Sequence, residues 1–139
     1  MTALCALLAL GLTPEVAESR APYIERACET DQCRAVVAVL WKMETASTFA
    51  LYPKSRHGCG PGSVLAGVTP TCAEMRVPEA GLRAAFVIYG LKLKRARGNV
   101  ERGNVERAFR GYSGHPKYRD RYGRKAARLL AKVEARCKH

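Results

Sequence analysis

No apolar run in the chain approaches the roughly 20 residues needed to span a bilayer, which excludes an integral helical membrane protein. There is no CxxC, and His57, His115 and His139 fall in no metal-ligand spacing, so neither a metal nor any other cofactor is expected. Acidic residues are scarce, with 12 Asp and Glu against 24 Lys and Arg, a formal net charge of +12. At 139 residues the chain has no room for a second full-sized core, so a single domain over 1–139 is expected. Six cysteines are too few for a cystine-knot scaffold. What is present is a 47% hydrophobic fraction, enough for a packed core and incompatible with wholesale disorder. The balance describes a basic domain with a polyanionic partner, and both nucleic acid and the bacterial cell wall meet that description.

The apolar stretch Ala3 to Leu12 has the hydropathy of a signal-peptide core. It lacks the preceding Lys or Arg and a clean small-x-small cleavage site, so it reads as a first helix rather than a targeting segment. Among the cysteines, Cys28 and Cys33 are five apart, and Cys59 and Cys72 flank a loop. Both pairs are candidate disulfides in an oxidising compartment, with free buried thiols as the alternative.

The rest of the pattern is helical. Thr13-Pro14-Glu15 combines a capping hydroxyl, a proline at the first helical position and an early acid, predicting a helix to about Cys28. A second helix is predicted from Asp31, as cap, through Glu44. Its Ala35–Trp41 stretch carries no charge on any side, so it belongs at the centre of the fold. Pro53 to Pro70 is rich in Gly, Pro and Ser and reads as a long functional loop. After Pro78, residues Leu82, Ala85, Phe86, Tyr89 and Leu93 mark an apolar helical face. A last helix from about Lys117 to Arg136 presents Tyr122, Ala126, Leu129, Leu130 and Val133 inward. The tandem GNVER copies at Gly98–Arg102 and Gly103–Arg107 read as a lengthened link, with Asn104 capping a short helix after it.

Glu44 is the residue that needs explaining. It follows an apolar helix, three and four positions after Trp41 and Leu40, and so shares their face. Apolar neighbours and the negative end of a helix dipole both raise a carboxyl pKa toward the value a general acid needs at neutral pH. The alternative is a solvated Glu at a frayed helix end.

The residues around it form an ordered series: Trp41-Lys42-Met43-Glu44-Thr45, Phe49, Ser55, Gly58-Cys59-Gly60-Pro61-Gly62-Ser63, Val68-Thr69-Pro70-Thr71, Ala108-Phe109-Arg110-Gly111-Tyr112, and Tyr118. Over roughly residues 20–135 this series resembles the lysozyme-like lytic transglycosylases and the related goose-type lysozymes. In that superfamily a buried helix ends in the catalytic Glu, usually followed by Ser, and a loop then carries a Ser and a Gly-x-x-Gln turn. Thr45 stands where the hydroxyl follows the Glu, Ser55 where the loop serine falls, and Gly60-Pro61-Gly62-Ser63 where the turn does. Ala108-Phe109-Arg110-Gly111-Tyr112 is similar to the family's Ala-Tyr-Asn-Gly-Gly, and Tyr118 to the tyrosine of the following helix. The resemblance implies a mainly α, lysozyme-like helical domain around a buried central helix, with a long active-site loop. It implies Glu44 as catalytic residue, with Thr45, Ser55, Ser63, Phe109, Arg110, Tyr112 and Tyr118 as substrate contacts. Ser63 replaces the family's Gln, and Phe109-Arg110 its Tyr-Asn, so the sugar contacts differ from the family's.

Most glycosidases use two acids flanking the scissile bond. The acids Asp31, Glu74, Glu79, Glu101, Glu106 and Asp120 mostly fall at helix starts or on charged faces, and none is an obvious partner for Glu44. One carboxylate fits the family's transglycosylase chemistry on peptidoglycan glycan strands, with hydrolysis as in goose-type lysozymes as the alternative. The implied setting is extracytoplasmic or a phage particle, against the anionic bacterial envelope. A non-enzymatic wall binder is a further alternative. So is a nucleic-acid binder, which has basic residues and interleaved tyrosines in its favour but no recognisable motif.

Overall fold

Threonines start the first three helices. Thr2, Thr13 and Thr30 each accept a hydrogen bond from the backbone N–H three residues on, at 3.1, 3.4 and 3.1 Å. This satisfies donors that the first helical turn leaves open. In the computed structural model the helices are α1 (Ala3–Ala9), α2 (Pro14–Ala27), α3 (Asp31–Glu44), α4 (Pro78–Ala96), α5 (Glu101–Ser113) and α6 (Arg119–Arg136), with a 3-10 turn at Glu74–Arg76. The structure describes all residues except 54–57, 63–70, 97–100, 114 and 139, and the side chains of 101–103. Among the described residues the architecture is all-α, without strands, and no helix is long and apolar enough to cross a membrane.

The central helix is α3. Every residue from Ala35 to Trp41 is buried, and the helix packs against α1, α2, α4 and α6. Each buried Val or Leu there contributes about 1.5–3 kcal/mol of burial free energy. Trp41 is clasped by Tyr23, edge-on at 6.5 Å, and by Phe49 at 5.8 Å. The cap of this helix is Thr30, with Asp31 as its first residue rather than its cap.

The apolar N-terminal stretch is a packed helix. Ala3, Ala6, Leu7, Ala9 and Leu10 lie in the core, and Lys42 of α3 donates to the Leu10 carbonyl at 2.9 Å. All six cysteines are paired: Cys28–Cys33, Cys59–Cys72, and a third bond, Cys5–Cys137, which ties α1 to the end of α6.

The GNVER reading needs correcting. Helix α5 begins at Glu101 and runs through the second copy, so Asn104 lies inside a helix rather than at its start. Val105, Ala108, Phe109 and Tyr112 form an inward stripe at helical spacing, and that packing outweighs the weak helix propensity of Gly103 and Asn104. Helix α6 crosses α5 closely at Gly123, where a Cβ would meet the Glu106 carbonyl oxygen at 2.7 Å. That close approach sets neighbouring Tyr122 against the end of α3.

Candidate active site

Glu44 is the last residue of α3, and the chain turns sharply after it. The Ser47 N–H returns to the Lys42 carbonyl at 2.8 Å, the long-range bond of a Schellman-type helix end. Ala46, Ser47 and Phe49 all have left-handed backbones, with φ of 49°, 67° and 50°. Left-handed non-glycine residues cost about 1–2 kcal/mol each, so the surrounding bonds must hold them in place. Trp41 Nε1 donates to the Ala50 carbonyl at 2.9 Å and Arg20 Nε to the Phe49 carbonyl at 2.8 Å. Thr45 Oγ1 donates to the Trp41 carbonyl and accepts from the Phe49 N–H at 2.9 Å.

The Glu44 carboxyl is partly buried between α3, α5 and α6. Tyr122 of α6 donates its hydroxyl to Glu44 Oε1 at 3.0 Å, leaving Oε2 without a partner among the described residues. Burial pushes the Glu44 carboxyl up from 4.5 to about 7, against the pull of the Tyr122 bond, which favours the charged form. The Tyr122 phenol is itself pushed well above 10, first by burial and then by the Glu44 charge. Tyr112 of α5 is raised in the same way, by burial and then by Glu44. The three groups therefore form one electrostatic cluster, with a single carboxylate poised near neutrality.

A loop reaches this cluster from the other side. Tyr112 donates to the Gly62 carbonyl, and Cys59–Cys72 joins the two ends of the loop segment. Gly62 has no space for a side chain, since a Cβ would lie 2.6 Å from Ala85 Cβ and 2.8 Å from the Tyr112 hydroxyl. Glycine at 62 is thus a packing requirement for seating the loop on α4 and α5.

Five of the other carboxylates are engaged elsewhere. Glu25 and Asp31 pair with Arg34, Glu79 with Arg26, and Asp120 with Arg110, at 3.0–3.2 Å. Glu74 is bound to Thr71. No second carboxylate contributes to the rise at Glu44. Among the described residues no His, Cys, Asp and Glu side chains assemble into a metal site.

The expected substrate contacts divide. Tyr112 stands beside Glu44 and holds the Gly62 end of the turn through its hydroxyl. Thr45 is buried, and its hydroxyl is consumed in the helix end, so its role is to build the turn rather than to face a sugar. Phe109 is fully buried against Tyr89, with ring centroids 4.9 Å apart, and is a core residue. Arg110 points to Asp120, in a basic cleft that Glu44 does not line. Tyr118 is 50% exposed and stacks on His115 at 4.9 Å, away from Glu44. Ser55, Ser63 and Val68-Thr69-Pro70 lie outside the described residues. Tyr122, one helical turn after Tyr118, is the tyrosine that reaches the carboxyl. Its place on the inward stripe of α6 was the available signal, and the stripe reads equally well as plain core. In comparisons with known proteins, no family model, curated protein or solved structure matches the chain.

Proposed function

We propose that the protein is a lysozyme-like peptidoglycan-cleaving enzyme, a lytic transglycosylase acting on the bond between N-acetylmuramic acid and N-acetylglucosamine, with Glu44 as its acid and base. The observation that carries this reading is a lone carboxyl, lifted to about 7 by burial and held by Tyr122 at one oxygen. A group with that pKa holds a proton about half the time at neutral pH, so it can both give and take one.

In the proposed reaction Oε2 carries the proton and delivers it to the glycosidic oxygen as the bond to the muramoyl C1 breaks. The carboxylate, stabilised by the Tyr122 hydroxyl, then accepts the proton of the muramoyl 6-hydroxyl as that oxygen closes on C1. The products are a 4-hydroxyl end and a 1,6-anhydromuramoyl end, no water is consumed, and Glu44 regains its proton. Among the described residues no second carboxylate acts on Glu44, which favours this internal closure over two-acid hydrolysis. The net charge of +12 favours an anionic envelope as the setting, and three disulfides favour an extracytoplasmic or phage-borne location.

The test is turbidity clearing of purified peptidoglycan by wild type and Glu44→Gln, with mass spectrometry of the fragments. Lysis lost in the variant, with anhydromuramoyl ends from wild type, is the expected result. Reducing ends would mean hydrolysis, and equal clearing by both proteins would remove Glu44 from the mechanism.

A further inference from the structure

A concave feature apart from Glu44 lies where the C-terminal end of α4, the face of α5 and the start of α6 meet. It is a cleft of about 410 Å³ lined by Lys92, Arg95, Arg107, Arg110 and Arg119, with Ala96 and Gly111. Neither Glu44, Tyr112 nor Tyr122 lines it. Of its five cations only Arg110 has an ion-pair partner among the described residues, Asp120 at 3.2 Å. The other four cations, without an ion-pair partner among the described residues, crowd one small volume.

Helix stability does not account for this arrangement. Basic residues at the end of α4 suit its dipole, and Arg95 can be read that way. Arg119 cannot: it is the first residue of α6, where a cation opposes the dipole, and that helix starts without a side-chain cap. An anion in the cleft would offset the mutual repulsion and add to Asp120, the one acid in the first turn of α6, at that helix's positive end. Lys92 lies along α5 because position 111 is glycine, where a Cβ would come within 3.2 Å of its Cδ.

We propose that this cleft is a binding site for a compact oligophosphate, a small anion carrying two or more adjacent phosphate groups. Four of the five cations are arginines, whose planar forks bind phosphate oxygens in pairs. The volume falls within the range of small-ligand sites, about 300–1,000 Å³. Among the described residues no aromatic side chain lines the cleft, which removes the stacking platform that a single nucleic-acid strand uses. The site is independent of Glu44 and stands whether or not the protein cuts peptidoglycan.

The probe is inorganic tripolyphosphate, titrated calorimetrically at fixed ionic strength into the oxidised full chain, with sulfate as the comparison anion. Wild type should bind tripolyphosphate on the order of tenfold or more tighter than sulfate. Arg95→Gln and Arg119→Gln should each weaken tripolyphosphate on the order of tenfold, the value of a charged hydrogen bond. Arg128→Gln, an exposed cation of α6 outside the cleft, should leave the affinity unchanged. Unligated melting curves matching wild type show that the variants fold. Equal losses in all three variants would reduce the effect to diffuse net charge and overturn the proposal. So would equal affinity for sulfate and tripolyphosphate. An oligothymidylate that displaces tripolyphosphate and binds more tightly would overturn it in favour of a nucleic-acid strand.

Discussion

Replacing Glu44 by Gln should make the protein more stable, and only above about pH 4.5. The carboxyl titrates at 4.5 when exposed and at about 7 in the fold. Because the folded value is the higher one, the native state holds the proton more tightly than the unfolded chain between those limits. The stability associated with Glu44 is therefore complete below about pH 4.5 and is lost as pH rises through 7. Each tenfold change in proton affinity is about 1.4 kcal/mol, so the rise from 4.5 to about 7 corresponds to about 3.5 kcal/mol at full burial, and the solvent that reaches the partly buried group brings the loss to about 2–3 kcal/mol. Gln keeps the shape and an oxygen that can accept from Tyr122, and carries no charge to bury. Urea unfolding of both proteins, with disulfides intact, should give matching free energies near pH 4. At pH 8 the variant should lead by about 2–3 kcal/mol, a melting difference on the order of 10 °C. Other titrating groups cancel between the two proteins. A difference that does not change between pH 4 and 8 would refute the buried, raised carboxyl, and with it the acid-base role.

Tyr122→Phe removes the one hydrogen-bond donor to the Glu44 carboxylate among the described residues; an NMR titration of the side-chain carboxyl should show its pKa rising by about one unit, and the neutral-pH rate of wall lysis should fall with it. Opening the disulfides should rank them by the chain each one closes. Cys5→Ser with Cys137→Ser releases a 132-residue separation and should cost about 5 kcal/mol, whereas the five-residue Cys28–Cys33 bridge is worth about 2 by denaturant unfolding. Gly62→Ala places a methyl group into Ala85 and the Tyr112 hydroxyl; it should destabilise the fold by about 1–3 kcal/mol in urea and reduce lysis while leaving far-UV helicity intact.

Much of the local structure is written in the chain itself. The helix starts at Thr13-Pro14 and near Asp31, the all-round burial of Ala35–Trp41, and the inward stripes of α4 and α6 follow from capping and 3.6-residue periodicity. These are short-range effects that neighbouring residues decide among themselves. Glu44 was legible for the same reason, since a carboxylate on the face of Trp41 and Leu40 must enter an apolar setting. The site around it was not. Tyr118 and Tyr122 are one turn apart on the same helix, and only the close α5–α6 crossing at Gly123 decides which one meets the carboxyl. Phe109 and Arg110 are adjacent in sequence, yet one enters the core and the other faces a basic cleft, because successive helical positions diverge by about 100°. Cys5 and Cys137 carry no spacing that would join them; their pairing follows from α1 packing beside α6. Periodicity and capping chose the helices, whereas the partners of each side chain depend on contacts between distant segments, and only the tertiary structure supplies those.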